Sequence, residues 1–429
     1  MKVLFVTPYV PSLMRVRPFN FIKQLSRRHS VTLVCLSQGD SGEESSLEEL
    51  HDLCDGVLAF PTNKLRSVAS CCRRLFSRMP LQAAYTCTSE LTDLISALAR
   101  TREYDVLHVE HIRGAHLSEG VRHIPRIFDS VDCITRLLKL RLAHHRGVLQ
   151  QALHLEELFK MRRYEPRVAA AFDRVVVTSR HDKKALEALI RRFCPRVSSE
   201  SLERLLRSGE LSELDRLSCD QLAVVRNGVD CDYFSPMPVA TEPGTIVFSG
   251  RMSYFPNVSA VLSFYDEVFP LVRARRPDAR LRIVGSDPPE SVRRLARDLS
   301  VEVTGYVPDL RPHIASASVV VCPLKVGVGI QNKVLEAMAM GKPVVASSVA
   351  CKGIPDVEDG RHLVRTDEPE RMAEAVLGLM DGAEFAARLG DRARRFVERA
   401  YSWEAAARSL EDVYEQAMES ARYRLPAAA

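Results

Sequence analysis

The residues best suited to chemistry lie at 319–340, V-V-V-C-P-L-K-V-G-V-G-I-Q-N-K-V-L-E-A-M-A-M. Val319–Cys322 is an apolar run of the kind that forms a buried strand. Gly327 and Gly329 follow in a loop, and Asn332 is placed to cap a helix that carries Glu336 and ends near Gly341. A strand, a glycine loop and a helix N-terminus together can hold phosphate. Glycine lets the backbone approach, and the unpaired N–H groups and the helix dipole face the anion. Glu336, about one turn into the helix, is positioned to accept hydrogen bonds from sugar hydroxyls. The combination points to a nucleoside-diphosphate ligand carrying a polyol. G-V-G-I-Q-N is not a complete G-x-G-x-x-G, and similar elements occur in α/β proteins that bind nothing there, so the loop alone leaves both readings open.

An alternation of strand and helix, run twice through the chain, must position this loop. In the first half, short apolar strands are expected at 3–7, 31–36, 57–60, 106–109, 126–128, 175–178 and 222–225. Helices are expected at 19–28 and 91–100, and a long, basic, amphipathic helical region over 135–171. Residues 198–215 read as a polar helical insertion. N-G-V-D at 227–230 makes a turn, and Pro236, Pro238 and Pro243 stiffen the connection that follows. The second half repeats the pattern, with strands at 246–249, 281–284, 301–304, 319–322 and 344–346 and helices at 258–275, 291–299, 310–316 and 333–340.

Apolar strands joined by helices make parallel, doubly wound α/β sheets. The expected domains are 1–237, including the insertion at 198–215, and 238–402, followed by an amphipathic helix in 403–429 that docks across the two. Several strands end in small residues: Ser249-Gly250, Gly285-Ser286, Gly305 and Ser347-Ser348. Ligands of open α/β sheets bind outside the carboxyl ends of the strands, so these ends are the expected floor of the site.

Bulk properties narrow the function class. The 429 residues exceed one ordinary core, and 46% apolar with 27% charged residues is the composition of a soluble globular protein. No run reaches the ~18 apolar residues of a membrane span. The opening M-K-V-L-F-V-T-P-Y-V-P is broken by prolines and reads as a first strand rather than a signal peptide. Eleven cysteines without C-x-x-C spacing, and twelve histidines without an H-x-x-x-H pair, predict a reducing cytosol, no disulfide frame and no metal site. The net charge of +5 does not call for a nucleic-acid partner. Residues 64–78 hold five basic and no acidic residues, and 136–146 hold four basic residues and two histidines. Both stretches interleave charge with apolar residues. Either they are solvated helix faces, or they rest on an anionic membrane surface and reach a lipid-linked acceptor.

Seven motifs in order carry a resemblance. They are K-V-L-F-V-T-P-Y-V-P with R-V-R-P-F-N-F; D-V-L-H-V-E from Asp105; V-V-R-N-G-V-D-C-D-Y-F from Val224; F-S-G-R-M-S-Y-F-P-N from Phe248; V-T-G-Y-V-P-D from Val303; the glycine loop with L-E-A-M-A-M-G-K-P-V-V-A; and S-W-E-A-A-A-R-S-L from Ser402. The chain resembles the retaining glycosyltransferases of family 4, also called glycosyltransferase group 1. That resemblance implies the GT-B fold: two Rossmann-like domains facing a cleft, a C-terminal helix crossing back, the nucleotide sugar on the C-terminal domain and the acceptor on the N-terminal one.

Residue roles follow from the resemblance. Arg251, after Gly250, holds the diphosphate and steadies the leaving group, a task that suits a planar guanidinium. Glu336 matches the second glutamate of an E-x7-E motif and binds ribose. Tyr306 and Val307 fall where the base is held by backbone contacts, with Gly285 at the neighbouring strand end. The first glutamate of E-x7-E is replaced by Val328, so Gly329, Ile330 and Gln331 would contact the donor sugar instead by backbone or amide, with Asn332 beside them among the donor-binding residues. Asn257 stands where a basic residue often lies, which makes Lys325 or Lys333 the expected second cation on the diphosphate. P-R-I-F-D-S-V-D from Pro125 carries Val131 at a position often histidine, so Asp129 or Asp132 would position the sugar, or else cap the helix that follows. The opening loop lacks the family's glycines, and Arg15 and Arg17 would reach the cleft from the acceptor side.

The implied activity is hexosyl transfer (EC 2.4) from a UDP- or GDP-linked sugar to a sugar, glycan or lipid-linked acceptor, in polysaccharide or glycolipid synthesis. The family is thought to react by front-face attack, the departing phosphate helping to deprotonate the acceptor. No cofactor or metal is expected, and the location is cytoplasmic or peripheral at the inner membrane face. The alternative is a non-catalytic or epimerase-like relative that binds nucleotide sugars. A nicotinamide oxidoreductase is disfavoured because Pro8-Tyr9-Val10-Pro11 occupies the first βα turn, where a G-x-G-x-x-G would stand.

Overall fold

The computed structural model describes residues 1–12, 15–39, 41–101, 103–144, 148–194, 221–327 and 330–422. It divides into two compact units: Met1–Arg226 with Ala406–Ala429, and Asn227–Ala405.

In the first unit, seven strands among the described residues form one parallel sheet in the order β3-β2-β1-β4-β5-β6-β7. They are β1 (Lys2–Thr7), β2 (Ser30–Ser37), β3 (Gly56–Pro61), β4 (Val106–Glu110), β5 (Arg126–Val131), β6 (Arg174–Val177) and β7 (Leu222–Val224). β1 and β4 are neighbours, with Val3 opposite Val106 and Val6 opposite Val109. The central strands are covered on both faces, so their side chains form near-continuous apolar runs.

The second unit has six strands among the described residues, in the order β10-β9-β8-β11-β12-β13. These are β8 (Thr245–Ser249), β9 (Arg280–Val284), β10 (Val301–Gly305), β11 (Val319–Cys322), β12 (Val344–Ala346) and β13 (Val364–Arg365). β13 is two residues long and gives no periodic signal, which is why the sequence reading lacks it. Each sheet winds outward in both directions from its first strand. The strand order therefore reverses between β1 and β4 in one unit and between β8 and β11 in the other. At such a reversal the flanking helices diverge and leave a crevice at the carboxyl ends.

Three expectations change. The units divide between Arg226 and Asn227, not at 237/238. The reason is local to the second unit: Val229 N donates to Tyr401 O (2.7 Å), and a Cβ on Gly228 would lie 2.5 Å from Trp403 N, so the N-G-V-D turn is bound to the later segment. The helical region at 135–171 is two helices, Ile134–His144 and Val148–Ala171. The helix expected at 258–275 is interrupted by a π-helical turn, Phe264–Val268, just ahead of Pro270, which has no N–H to continue the regular ladder. The insertion expected at 198–215 lies outside the described residues.

The last helix is Trp403–Arg422, and from Ala406 onward it packs in the first unit. Tyr414 is fully buried there, its hydroxyl 2.8 Å from His108 Nδ1. Glu411 bonds Arg28 and His29, each at 2.9 Å.

Candidate functional site

At the reversal point of the second sheet, β8 ends at Ser249 and the chain turns through Gly250 at φ +149°. Gly250 N donates to Val284 O (2.9 Å), and Gly285, at φ +151°, closes on it so tightly that a Cβ there would lie 1.9 Å from Gly250 O. Gly250 has a second reason to lack a side chain. A Cβ on it would lie 2.7 Å from Lys333 Nζ and 2.9 Å from Asn257 Nδ2.

Those two groups form a short relay. Lys333 Nζ donates to Asn257 Oδ1 (2.5 Å), and Asn257 Nδ2 donates to Arg251 O (2.7 Å). The Lys333 ammonium also lies 4.4 Å from the centre of the Phe248 ring. Burial pulls its pKa below the usual lysine value, with Cys322 and Glu336 partly opposing the shift. Lys333 is the second residue of the helix Asn332–Ala339, whose N-cap residue Gln331 makes no side-chain capping bond among the described residues. The capping role expected of Asn332 fails. Gln331 occupies the N-cap position with extended dihedrals, while Asn332 is already helical and exposed. Glu336 sits one turn on, half-buried, and desolvation raises its carboxyl pKa to about 7 against the pull of Lys333. The Arg251 side chain is 73% exposed, and its ion pair with Asp287 is long at 3.5 Å.

The remaining donor-side candidates are spread around this centre. Tyr306 is exposed, while Val307 and Ile330 pack against the core of the second unit. Gly329 and Val328 lie outside the described residues. Lys325 is not brought to the Gly250 centre: it donates to both oxygens of Glu267, at 2.8 and 2.9 Å. It lines a cavity of about 330 Å³ that neither Arg251 nor Lys333 touches.

In the first unit, Arg17 and Asp129 do not meet the expectation. Arg17 is buried and grips fully buried Asp129 through both carboxylate oxygens, Nε–Oδ2 at 2.8 Å and the second pair at 3.2 Å. A guanidinium so placed is unavailable to an acceptor, and the paired carboxylate also accepts from Val131 N (3.1 Å). Val131 holds the left-handed φ of +63°. His108 stacks on Phe5 with its Nε2 3.9 Å from Asp129, and burial lowers its pKa to about 4, so the ring is neutral. Asp132 accepts from Thr178 Oγ1 (3.2 Å), and burial raises its pKa.

Neither aspartate caps the helix starting at Ile134. Glu165 accepts from Ile134 N (2.6 Å) and Thr135 N (3.0 Å), and Asp182 accepts from Cys133 N (3.3 Å). No local spacing announces caps that arrive from 30 to 49 residues away.

The reversal point of the first sheet gathers Tyr9 after β1 and Glu110 and His111 at the end of β4. Glu110 is buried, and desolvation together with Asp129 raises its pKa to about 8. The nearby Tyr9 hydroxyl partly opposes that rise, and Glu110 Oε2 has no hydrogen-bond partner among the described residues. Arg15 covers the Tyr9 ring at 4.0 Å, and both line a cavity of about 260 Å³. Sequence reasoning gave Glu110 no role. Its available signal was the lone carboxylate closing an otherwise apolar-rich strand beside a sheet's first strand.

Residues 243–382 match the family described as "Glycosyl transferases group 1". D-inositol 3-phosphate glycosyltransferase of Streptomyces coelicolor is 29% identical over 244 residues, 48% of this chain and 52% of that protein. Phosphatidyl-myo-inositol mannosyltransferase of Mycolicibacterium smegmatis is 31% identical over 213 residues, 47% of this chain and 54% of that protein. The chain thus spans about half the length of the curated relatives it matches. Among solved structures, Anabaena HepE in complex with UDP superposes with a TM-score of 0.63 at 16% identity, covering 97% of this chain and 100% of that one. Sucrose-phosphate synthase of Thermosynechococcus elongatus gives 0.60 at 15%, covering 98% and 100%. At these identities the likeness is one of fold.

Proposed function

From a segment at 243–382 that belongs to the group 1 glycosyl transferases, within a chain that has the GT-B architecture throughout, we propose that this protein is a retaining hexosyltransferase. It moves a sugar from a UDP- or GDP-linked donor to a hydroxyl acceptor, without a metal. The observation that carries the proposal is the Lys333 ammonium, desolvated over Gly250 and held by Asn257, with Arg251 beside it. A half-buried, desolvated cation whose hydrogen-bond partner is a neutral amide is costly unless an anion joins it. A diphosphate at the start of the helix Asn332–Ala339 supplies that anion.

In this reading Lys333 and Arg251 bear the charge that develops on the departing diphosphate, and Glu336 accepts from the ribose. Lys325 serves less directly, because its charge is already engaged by Glu267. On the first unit, Glu110, Tyr9 and Arg15 face the acceptor. HepE is seen with UDP and UDP-glucose, and the relatives are named for inositol phosphate and phosphatidylinositol acceptors. UDP-glucose, GDP-mannose and inositol phosphates are therefore the first probes.

The test is nucleoside-diphosphate release across a donor panel, with product anomeric configuration read by proton NMR. Expected is turnover with one donor, retention of configuration, and a loss of about 10²–10³ in kcat for Arg251→Ala. Donor binding without transfer to any acceptor would favour the non-catalytic reading, and an inverted product would remove the retaining assignment.

A further inference from the structure

The helix Lys64–Arg74 turns its polar side inward. Asn63 caps it by accepting from Leu65 N (2.8 Å). Ser67 and Ser70 are buried, Ser70 Oγ donates to Ala84 O (2.8 Å) and Arg74 donates to Ser70 Oγ (3.0 Å), while Leu65 and Val68 are exposed. A surface helix ordinarily turns its apolar stripe to the core. Here the inner side borders a polar cavity of about 670 Å³, within the size range of ligand sites and larger than one hexose ring fills.

Charges of both signs line this cavity without pairing. Arg66 and Arg73 enter it from the helix Lys64–Arg74, and Glu90 and Asp93 from the helix Ser89–Thr101. None of the four forms an ion pair among the described residues. His116 is buried and lines the same cavity, and neither of its ring nitrogens has a hydrogen-bond partner among the described residues. Burial lowers its pKa to about 4, with the nearby Thr86 backbone opposing the fall and Arg74 adding to it. The ring is therefore neutral, with one nitrogen to donate and one to accept.

This set of groups matches hydroxyls. Guanidinium groups donate, carboxylates accept, a neutral imidazole does one of each, and a sugar hydroxyl both donates and accepts. A phosphate fits less well. Glu90 and Asp93 repel it, and it brings no donor for the accepting nitrogen of His116. The cavity also continues the one at the reversal point of the first sheet. Thr62, Ser67, Tyr85 and Thr86 line both it and the cavity of about 260 Å³ bordered by Tyr9 and Arg15.

We propose that the larger cavity binds an uncharged oligosaccharide, the acceptor of the transfer. The reacting sugar lies toward Tyr9 and Arg15, and the sugars behind it lie among Arg66, Arg73, Glu90, Asp93 and His116. The acceptor role rests on the transferase reading above; the binding of carbohydrate in this cavity does not.

An array of neutral mono- to hexasaccharides probed with the full chain, followed by calorimetry on the glycans retained, tests it. At least one oligosaccharide should bind about tenfold or more tightly than its own terminal monosaccharide. The Arg73→Ala/Asp93→Ala variant, which changes two exposed side chains, should lose that advantage while keeping its urea midpoint. Glu90→Gln, a second and milder variant, should lower the same advantage by about threefold or more. No preference for oligosaccharides, an advantage that survives in both variants, or a sugar phosphate that outcompetes the best oligosaccharide would overturn the proposal. Nucleoside-diphosphate binding to the wild type is titrated separately. Glycan binding without nucleotide binding would overturn the acceptor role together with the transferase reading, and nucleotide binding without glycan binding would overturn the glycan site alone.

Discussion

Glu336→Gln separates stability from binding at one position. The buried surroundings raise the Glu336 carboxyl from an ordinary 4.5 to about 7. At about 1.4 kcal/mol per pH unit, holding the ionised form in the folded protein costs up to ~3 kcal/mol, reduced to about 1–2 kcal/mol because the side chain is half-buried rather than enclosed. The folded value lies above the unfolded one, so the folded state binds the proton more tightly. The stability that protonation confers is fully present below about pH 4.5, fades as pH rises, and is gone above about pH 7.

Glutamine mimics the protonated acid at every pH. Urea unfolding should therefore show Glu336→Gln more stable than wild type by about 1–2 kcal/mol near pH 8 and nearly equal near pH 5. Affinity should move the other way. Losing a charged acceptor for the ribose hydroxyls should weaken nucleoside-diphosphate binding by about 10–100-fold, read by calorimetry. A gain of equal size at both pH values would refute the electrostatic argument, and unchanged affinity would refute the ribose role.

Three other outcomes are expected. Gly250→Ala puts a methyl 2.7 Å from Lys333 Nζ at a φ that disfavours side chains, so nucleoside-diphosphate affinity should fall by about tenfold or more while the variant still folds; unchanged affinity in a titration would argue against the site. Lys333→Met should abolish measurable binding, whereas Lys325→Met, which breaks a surface ion pair worth about 0–1 kcal/mol, should leave both stability and binding near wild type; the reverse ranking would move the phosphate site to the Lys325 cavity. Arg17→Met strands a buried carboxylate and should cost about 3–5 kcal/mol in denaturant unfolding; a loss below ~1 kcal/mol would mean that Asp129 is satisfied without its partner.

What the sequence determined by itself was the material of both sheets. Runs such as V-V-V-C at Val319–Cys322 have one low-energy home, a strand covered on both faces, because apolar side chains at successive positions cannot all avoid water in any half-exposed element. Glycine at 250 and 285 was equally legible, since strand ends that must approach closely exclude a Cβ whatever surrounds them. The pairings were not legible. Lys333 with Asn257, Arg17 with Asp129, and Glu165 with the helix at Ile134 join residues 76, 112 and 31 positions apart, and no local period records such distances. Tertiary structure alone paired Lys333 with Asn257 and Lys325 with Glu267, and turned Arg17 inward. It also set the apolar side of Lys64–Arg74 toward solvent. An amphipathic pattern says that a helix has two faces, and only packing against the rest of the chain decides which of them meets water.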